Sequence, residues 1–216
     1  MKGYRGLYLI TPDQETDPRE LARQVAAAIR GGARLVQYRN KGENVARRAA
    51  QAAALLQVCR AAAIPLIIND DVELAVQLGA DGVHLGRDDA DPASVRARLG
   101  PDALIGVSCY ASLALAQAAQ YHGASYVAFG SVFPSPTKPR AVRAAPELLA
   151  SASRTLRIPV VAIGGITPQN GGRLIAAGAH MLAVVTGVFA QPDLAAAARA
   201  YASLFPDGDP LDEPIP

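Results

Sequence analysis

Arg39 and Lys41 stand two residues apart at the end of an apolar run, a spacing that points both side chains the same way along an extended chain. Such a pair can clamp a polyanionic group, or it can be a solvated strand end. Asp70 and Asp89 follow two further apolar runs. Carboxylates at neighbouring strand ends can hold Mg²⁺, a hard cation that bridges phosphate oxygens while keeping several waters; the plainer alternative is helix N-capping, which is the reading for Asp71 and Asp88. Gly164-Gly165 and Val185-Thr186-Gly187 offer bare backbone N–H groups to an anion, or else form tight turns. Ser135-Pro136-Thr137-Lys138, taken alone, is a surface turn. His84 lies inside an apolar run and reads as a packed or hydrogen-bonded strand residue, while His122 and His180 read as surface. No metal-ligand spacing joins the histidines, and no nucleophile elbow, P-loop or Cys–His pair points to covalent catalysis.

These groups do chemistry together only if the fold brings distant parts of the chain to one place. Strand-length apolar runs fall near residues 7–11, 34–39, 65–70, 82–86, 104–109, 126–130, 159–164 and 181–186. Ala-rich helical segments follow each, near 18–31, 43–63, 71–78, 91–99, 111–122, 144–154, 168–177 and 192–204, with Pro18, Pro92 and Pro192 near their starts. A weak repeat begins at Gly32-Ala33, Gly79-Ala80, Gly123-Ala124 and Gly178-Ala179, spaced by 47, 44 and 55 residues, or about two βα units each. A doubly wound sheet would place GxGxxG after the first strand, where Pro12-Asp13-Gln14 stands instead. The expected fold is therefore an α/β (β/α)8 TIM barrel, a single domain over residues 1–205. Active sites of such barrels lie at the C-terminal ends of the strands. Gln37, Arg39, Asn40, Lys41, Asn69, Asp70, Asp89, Ser108 and Lys138 are all expected at that rim.

The chain has 216 residues, half of them apolar, which supplies a core. Lys and Arg number 21 against 19 Asp and Glu, and there is no Trp, so neither a nucleic-acid charge footprint nor a base-stacking surface stands out. Residues 206–216 carry Asp207, Asp209, Asp212 and Glu213 without a Lys or Arg, leaving the body at +6; this Pro-rich acidic tail is expected to be disordered. Cys59 and Cys109 form no CxxC and no disulfide framework, and both read as buried bystanders in a reducing compartment. The apolar stretch at 7–10 is too short for a signal peptide, and the uncharged stretch 103–137 is broken well short of ~18 consecutive apolar residues. The expectation is a cytoplasmic protein acting on small phosphorylated molecules, with no membrane or nucleic-acid partner and with room for a homo-oligomer.

The ordered set Gln37-Tyr38-Arg39-Asn40-Lys41, Asn69-Asp70, Gly82-Val-His-Leu-Gly-Arg-Asp-Asp89, Gly106-Val-Ser108, Ser135-Pro136-Thr137-Lys138 and Gly164-Gly165 resembles the thiamine phosphate synthase family over residues 7–205. The resemblance implies a transferase joining 4-amino-2-methyl-5-pyrimidinylmethyl diphosphate to a thiazole phosphate. It implies Mg²⁺ on Asp70 and Asp89, the diphosphate among Arg39, Lys41, Asn69 and Lys138, and the pyrimidine against Gln37 and Ser108. Ser135, Pro136 and Thr137 would border the thiazole, whose phosphate would rest on the backbone of Gly165, Val185 and Thr186. Tyr38 and Asn40 fall in the same substrate-binding segment. Arg39, Ser108 and Lys138 would carry the catalytic step. Arg87 stands where the family often has Gln, Tyr110 where a His is common, and residues 140–145 depart from the usual loop. The rival readings are a thiazole tautomerase on the same barrel and a non-catalytic thiamine-precursor binder.

Overall fold

The computed structural model describes residues 4–13, 17–134 and 143–205. Eight strands, β1 (Gly6–Ile10), β2 (Ala33–Tyr38), β3 (Leu66–Asn69), β4 (Gly82–Leu85), β5 (Leu104–Tyr110), β6 (Tyr126–Phe129), β7 (Val160–Ile163) and β8 (Met181–Val184), pair in parallel and close in sequence order. The barrel closes through β1 and β8, with Leu7 opposite Leu182 and Leu9 opposite Val184. Helices α1 (Pro18–Arg30), α2 (Val45–Ala61), α3 (Val72–Leu78), α4 (Pro92–Leu99), α5 (Leu113–Tyr121), α6 (Pro146–Thr155), α7 (Pro168–Ala176), α8 (Thr186–Phe189) and α9 (Leu194–Ala202) complete the units. The eight-stranded barrel read from the sequence is the fold observed.

Strand alternation divides the core into two layers. Tyr8, Ile10, Leu35, Ile67, Tyr126, Val161 and Met181 fill the barrel interior. Leu7, Leu9, Val36, Leu66, Ile68, Val83 and Ile105 face outward and pack under the helices with Val25, Leu55, Leu149 and Leu174. Four glycines of the repeat, Gly32, Gly79, Gly123 and Gly178, have φ of 104, 62, 86 and 100°, a left-handed turn that releases each helix into the next strand.

Three local expectations change. The helix after β8 is two pieces, the four-residue α8 and then α9, which is capped by Asp193 accepting from Ala196 N, so Pro192 precedes the cap instead of opening the helix. Asp88 does not cap α4; that helix is capped by Asp91, whose carboxylate accepts from Ala93 N and Ser94 N. His180 is half-buried, its Nδ1 accepting from Val160 N, and is not a surface residue. Asp71 does cap α3, accepting from Leu74 N at 2.9 Å. Cys59 and Cys109 are buried, and burial pushes both thiols up to about 12, so neither is a reactive thiolate.

Candidate active site

The C-terminal ends of β1, β2 and β3 build one wall of the rim. Thr11, buried after β1, accepts from Arg39 N at 2.9 Å and donates to Arg39 O at 3.2 Å. Asp13 accepts from Arg39 Nη1 at 3.0 Å and, through its other oxygen, from Lys41 N at 2.8 Å. On the opposite side, the buried Gln51 of α2 accepts from the Tyr38 hydroxyl and from Asn40 Nδ2, each at 2.8 Å. Tyr38 is thus buried between β2 and α2, and its hydrogen bond pins the segment that carries the two cations. Asp13 and Gln51 had no signal in the sequence, since their partners lie 26–28 and 11–13 residues away.

The carboxylates face this wall. Asp70 has φ 62°, a left-handed conformation that Asp tolerates better than bulkier residues, and its carboxylate is paired with Lys41 Nζ. Burial raises the Asp70 carboxyl, but hydrogen bonds from Lys41 and Asp89 outweigh it and hold the group below the ordinary range. Burial, together with the neighbouring Asp70 charge, holds the Asp89 carboxyl above the ordinary range although Gly86 N donates to it at 2.6 Å. Two carboxyls so close cannot both ionise without a cation between or beside them. The two carboxylates supply oxygen donors of the kind a hard divalent cation takes, whereas the Lys41 ammonium on Asp70 supplies none. Among the described residues no cluster of three or more His, Cys, Asp or Glu could hold a metal. A hard cation held by only two carboxylates takes water or substrate oxygens for the rest of its shell.

A cavity of about 340 Å³ opens here, lined by Asn40, Lys41, Arg48, Asn69, Asp70 and Asp89 among others. Arg48, on the first turn of α2, lies 3.4 Å from the Asp71 carboxylate. Its Nε is buried without a hydrogen-bond partner among the described residues. It was not singled out in the sequence, because a helical Arg reads as solvated until the helix is docked. Gln37 and Ser108, the pair assigned to the pyrimidine by resemblance, lie lower, on β2 and β5. Gln37 Nε2 donates to the Tyr8 hydroxyl at 2.7 Å, and Ser108 Oγ is 2.9 Å from His84 Nε2. His84 is the hydrogen-bonded strand residue expected of it.

Across the rim, Gly164 and Gly165 have φ of 102 and 61°. A Cβ on Gly165 would lie 2.4 Å from Pro134 O, so the loop after β6 packs directly on this turn. Val185 at the start of α8 supplies no side-chain cap, which leaves the first-turn N–H groups there without one. The β5 ladder shifts register between Ser108 and Tyr110, and Tyr110 takes φ 53°. Its ring lies 4.6 Å from the Arg87 guanidinium carbon. The two positions that depart from the family pattern are therefore in contact, a cation–π pair on the rim between β4 and β5. Ser135, Pro136, Thr137 and Lys138, with residues 140–142 and the tail at 206–216, lie outside the described residues.

A family model described as thiamine monophosphate synthase matches residues 7–188. The thiamine-phosphate synthase of Chromobacterium violaceum is 56% identical over 200 residues, covering 93% of this chain and 96% of that protein. That of Thioalkalivibrio sulfidiphilus is 53% identical over 201 residues, covering 93% and 95%. Among solved structures, thiamine phosphate pyrophosphorylase from Pyrococcus furiosus superposes with a TM-score of 0.81 at 31% identity, covering 94% of this chain and 96% of that one.

Proposed function

The chain belongs to the thiamine monophosphate synthase family, and from that membership we propose that its rim joins 4-amino-2-methyl-5-pyrimidinylmethyl diphosphate to a thiazole phosphate, releasing diphosphate. The relatives' shared name supports this enzyme over the tautomerase and the non-catalytic binder. The observation that carries the reading is the juxtaposition of a cation pair, Arg39 and Lys41, with a carboxylate pair, Asp70 and Asp89, at one barrel mouth. We take residues 1–205 as one catalytic domain. No helix of the described residues is long and apolar enough to cross a membrane, and a cytoplasmic location fits the two free, buried cysteines.

The bond between the pyrimidinylmethyl carbon and the diphosphate oxygen breaks, and the thiazole nitrogen captures the resulting cation. No protein nucleophile is required; what is required is charge on the departing diphosphate and exclusion of water from the cation. Thr11 and Asp13 hold the Arg39–Lys41 segment in place, so its backbone does not reorganise during the step, while the Lys41 ammonium reaches the diphosphate by leaving Asp70. Asn69 faces the same group, and on the resemblance so does Lys138. Mg²⁺ on Asp70 and Asp89 would neutralise charge on the leaving group when bound. Gln37 and Ser108 hold the pyrimidine. The backbone of Gly165, Val185 and Thr186 receives the thiazole phosphate, with Ser135, Pro136 and Thr137 bordering the thiazole.

The test is incubation with both substrates and Mg²⁺, with thiamine phosphate read by mass spectrometry. No product overturns the reading. Aromatisation of the thiazole carboxylate phosphate offered alone, followed by ultraviolet absorbance and with no thiamine phosphate on adding the pyrimidine, would favour the tautomerase.

Two further outcomes follow from the rim. Asp13→Ala releases Arg39 and Lys41 but also removes a negative charge from the anion site. The rate should therefore fall about tenfold while KM for the diphosphate substrate stays level or drops. Steady-state kinetics separates these; a rise in KM alone would show that Asp13 does not position the cations. The raised Asp89 carboxyl bears on metal binding. Protons compete with the cation at a carboxylate, so Mn²⁺ affinity should start to weaken, as pH falls, above the ordinary Asp value of ~3.9. Electron paramagnetic resonance titrations across pH would read this, and Asp89→Asn should abolish that component.

A further inference from the structure

The inward-facing polar side chains form one hydrogen-bonded chain through the barrel. Gln37 Nε2 donates to the Tyr8 hydroxyl at 2.7 Å, and the Tyr8 and Tyr126 hydroxyls are 2.6 Å apart. Tyr126 Oη is 3.2 Å from His84 Nδ1, and His84 Nε2 is 2.9 Å from Ser108 Oγ. The links come from β2, β1, β6, β4 and β5 in turn. Gln37, Tyr8, Tyr126 and His84 are buried, where an unmade hydrogen bond costs about 1–3 kcal/mol. The two phenol rings meet edge to face at 5.7 Å, and the His84 ring stacks on Tyr126 at 5.7 Å. A Cβ at Gly106 would lie 2.1 Å from Tyr126 Cζ and 2.5 Å from His84 Nδ1, so β5 is cut back to seat the chain.

Its direction follows from its first bond. Each phenol has a single hydrogen. Among the described residues the buried Tyr8 hydroxyl meets only Gln37 and Tyr126, and the Tyr126 hydroxyl only Tyr8 and His84, so with the Gln37 amide donating to Tyr8 the Tyr8 hydrogen goes to Tyr126 and the Tyr126 hydrogen to His84 Nδ1. His84 then carries its proton on Nε2 and donates to Ser108 Oγ. Two groups are left at the ends: Gln37 Oε1, which accepts, and the Ser108 hydroxyl hydrogen, which donates. The opposite polarity would present a donor at Gln37 and leave Ser108 to accept.

We propose that Tyr8, Tyr126 and His84 are positioning residues that fix this polarity, so that the site selects a 4-aminopyrimidine against its 4-oxo counterpart. The inference rests on the reading that the pyrimidine lies on Gln37 and Ser108. An exocyclic amine has an N–H for Gln37 Oε1, and the adjacent ring nitrogen has a lone pair for Ser108. The 4-oxo ring carries a carbonyl and an N–H in those places, so acceptor meets acceptor and donor meets donor. A site built to hydrogen-bond a group discriminates strongly against a substrate lacking it, because its own buried polar groups go unpaired.

The experiment has two arms on the full-length chain. Nitrogen-15 NMR of the imidazole side chains above neutral pH reads the tautomer directly, since the sequence has three histidines and His122→Gln and His180→Gln identify the other two. The Nε2–H form of His84 is expected; the Nδ1–H form, or an even mixture, overturns the proposal. The second arm compares kcat/KM for the 4-amino and 4-oxo pyrimidinylmethyl diphosphates. The wild type should favour the amino compound by at least ~100-fold, and Tyr126→Phe, which cuts the chain at its centre but leaves Gln37 and Ser108, should reduce that ratio at least tenfold. A folded Tyr126→Phe that keeps the wild-type ratio overturns the proposal, as does equal wild-type turnover of both compounds. Should Tyr126→Phe fail to fold, the tautomer and the wild-type ratio still decide. If the wild type turns over neither compound, the functional reading of the site falls, and the selectivity falls with it.

Discussion

Asp70→Asn and Asp89→Asn should each lower the rate of thiamine phosphate formation by about 10²–10³ at limiting Mg²⁺, with melting temperatures close to that of the wild type. The rate loss follows from where the charge sits. The Asp70 charge helps to hold the neighbouring Asp89 carboxyl up, and that repulsion is relieved when a divalent cation neutralises both. An amide in place of either keeps the shape and removes half the charge that holds the metal. The two variants should also differ. Asp70→Asn frees Lys41 from its ion pair, and the released ammonium can face the diphosphate, so part of the loss is offset there. Asp89→Asn frees no cation, and it relieves carboxyl repulsion, so it should be neutral or slightly favourable for stability. Initial rates against Mg²⁺ concentration and thermal melts would read both effects. Wild-type rates in both variants at limiting Mg²⁺ would show that these carboxylates do not hold the metal.

The rim cations and carboxylates were legible because a βα unit puts the end of every strand at one face, and Arg39, Lys41, Asn69, Asp70 and Asp89 each end or follow an apolar run. What holds them was not legible. Asp13 reaches Arg39 across 26 residues, and nothing in Thr-Pro-Asp says that this carboxylate will turn to the next strand. Tyr8 and Tyr126 fall inside apolar runs and are buried; their hydroxyls meet only because closing the barrel brings positions 118 residues apart face to face. Asp88 and Asp91 illustrate the opposite limit. Both lie before α4, and sequence alone does not say which of several nearby carboxylates the backbone turns toward the first helical N–H groups. The four-residue α8 was missed because so short a helix has no periodicity to show.

The hydrogen-bonded interior leads to the largest stability effect. Gly106→Ala should destabilise the fold by about 2–4 kcal/mol, an overpacking cost at the upper end of its usual range. The reason is local. The added Cβ would fall 2.1 Å from Tyr126 Cζ, 2.3 Å from Tyr126 Oη and 2.5 Å from His84 Nδ1. None of these atoms can withdraw cheaply: both rings are buried, stacked on each other, and held by hydrogen bonds at 2.6, 3.2 and 2.9 Å. Relief requires β5 to move, or the chain from Tyr8 to Ser108 to break and leave buried polar atoms unpaired. For a domain of this size the loss corresponds to a melting temperature lower by roughly 5–15 °C. Gly172→Ala supplies the contrast. Gly172 is an exposed interior position of α7 with open space where a Cβ would go, so alanine there should stabilise by ~0.5–1 kcal/mol through helix propensity alone. Calorimetric melts of the two variants should therefore move in opposite directions from the wild type. A Gly106→Ala protein that melts at or above the wild-type temperature would mean that the interior yields to a methyl group, and that Gly106 is not there to make room for Tyr126 and His84.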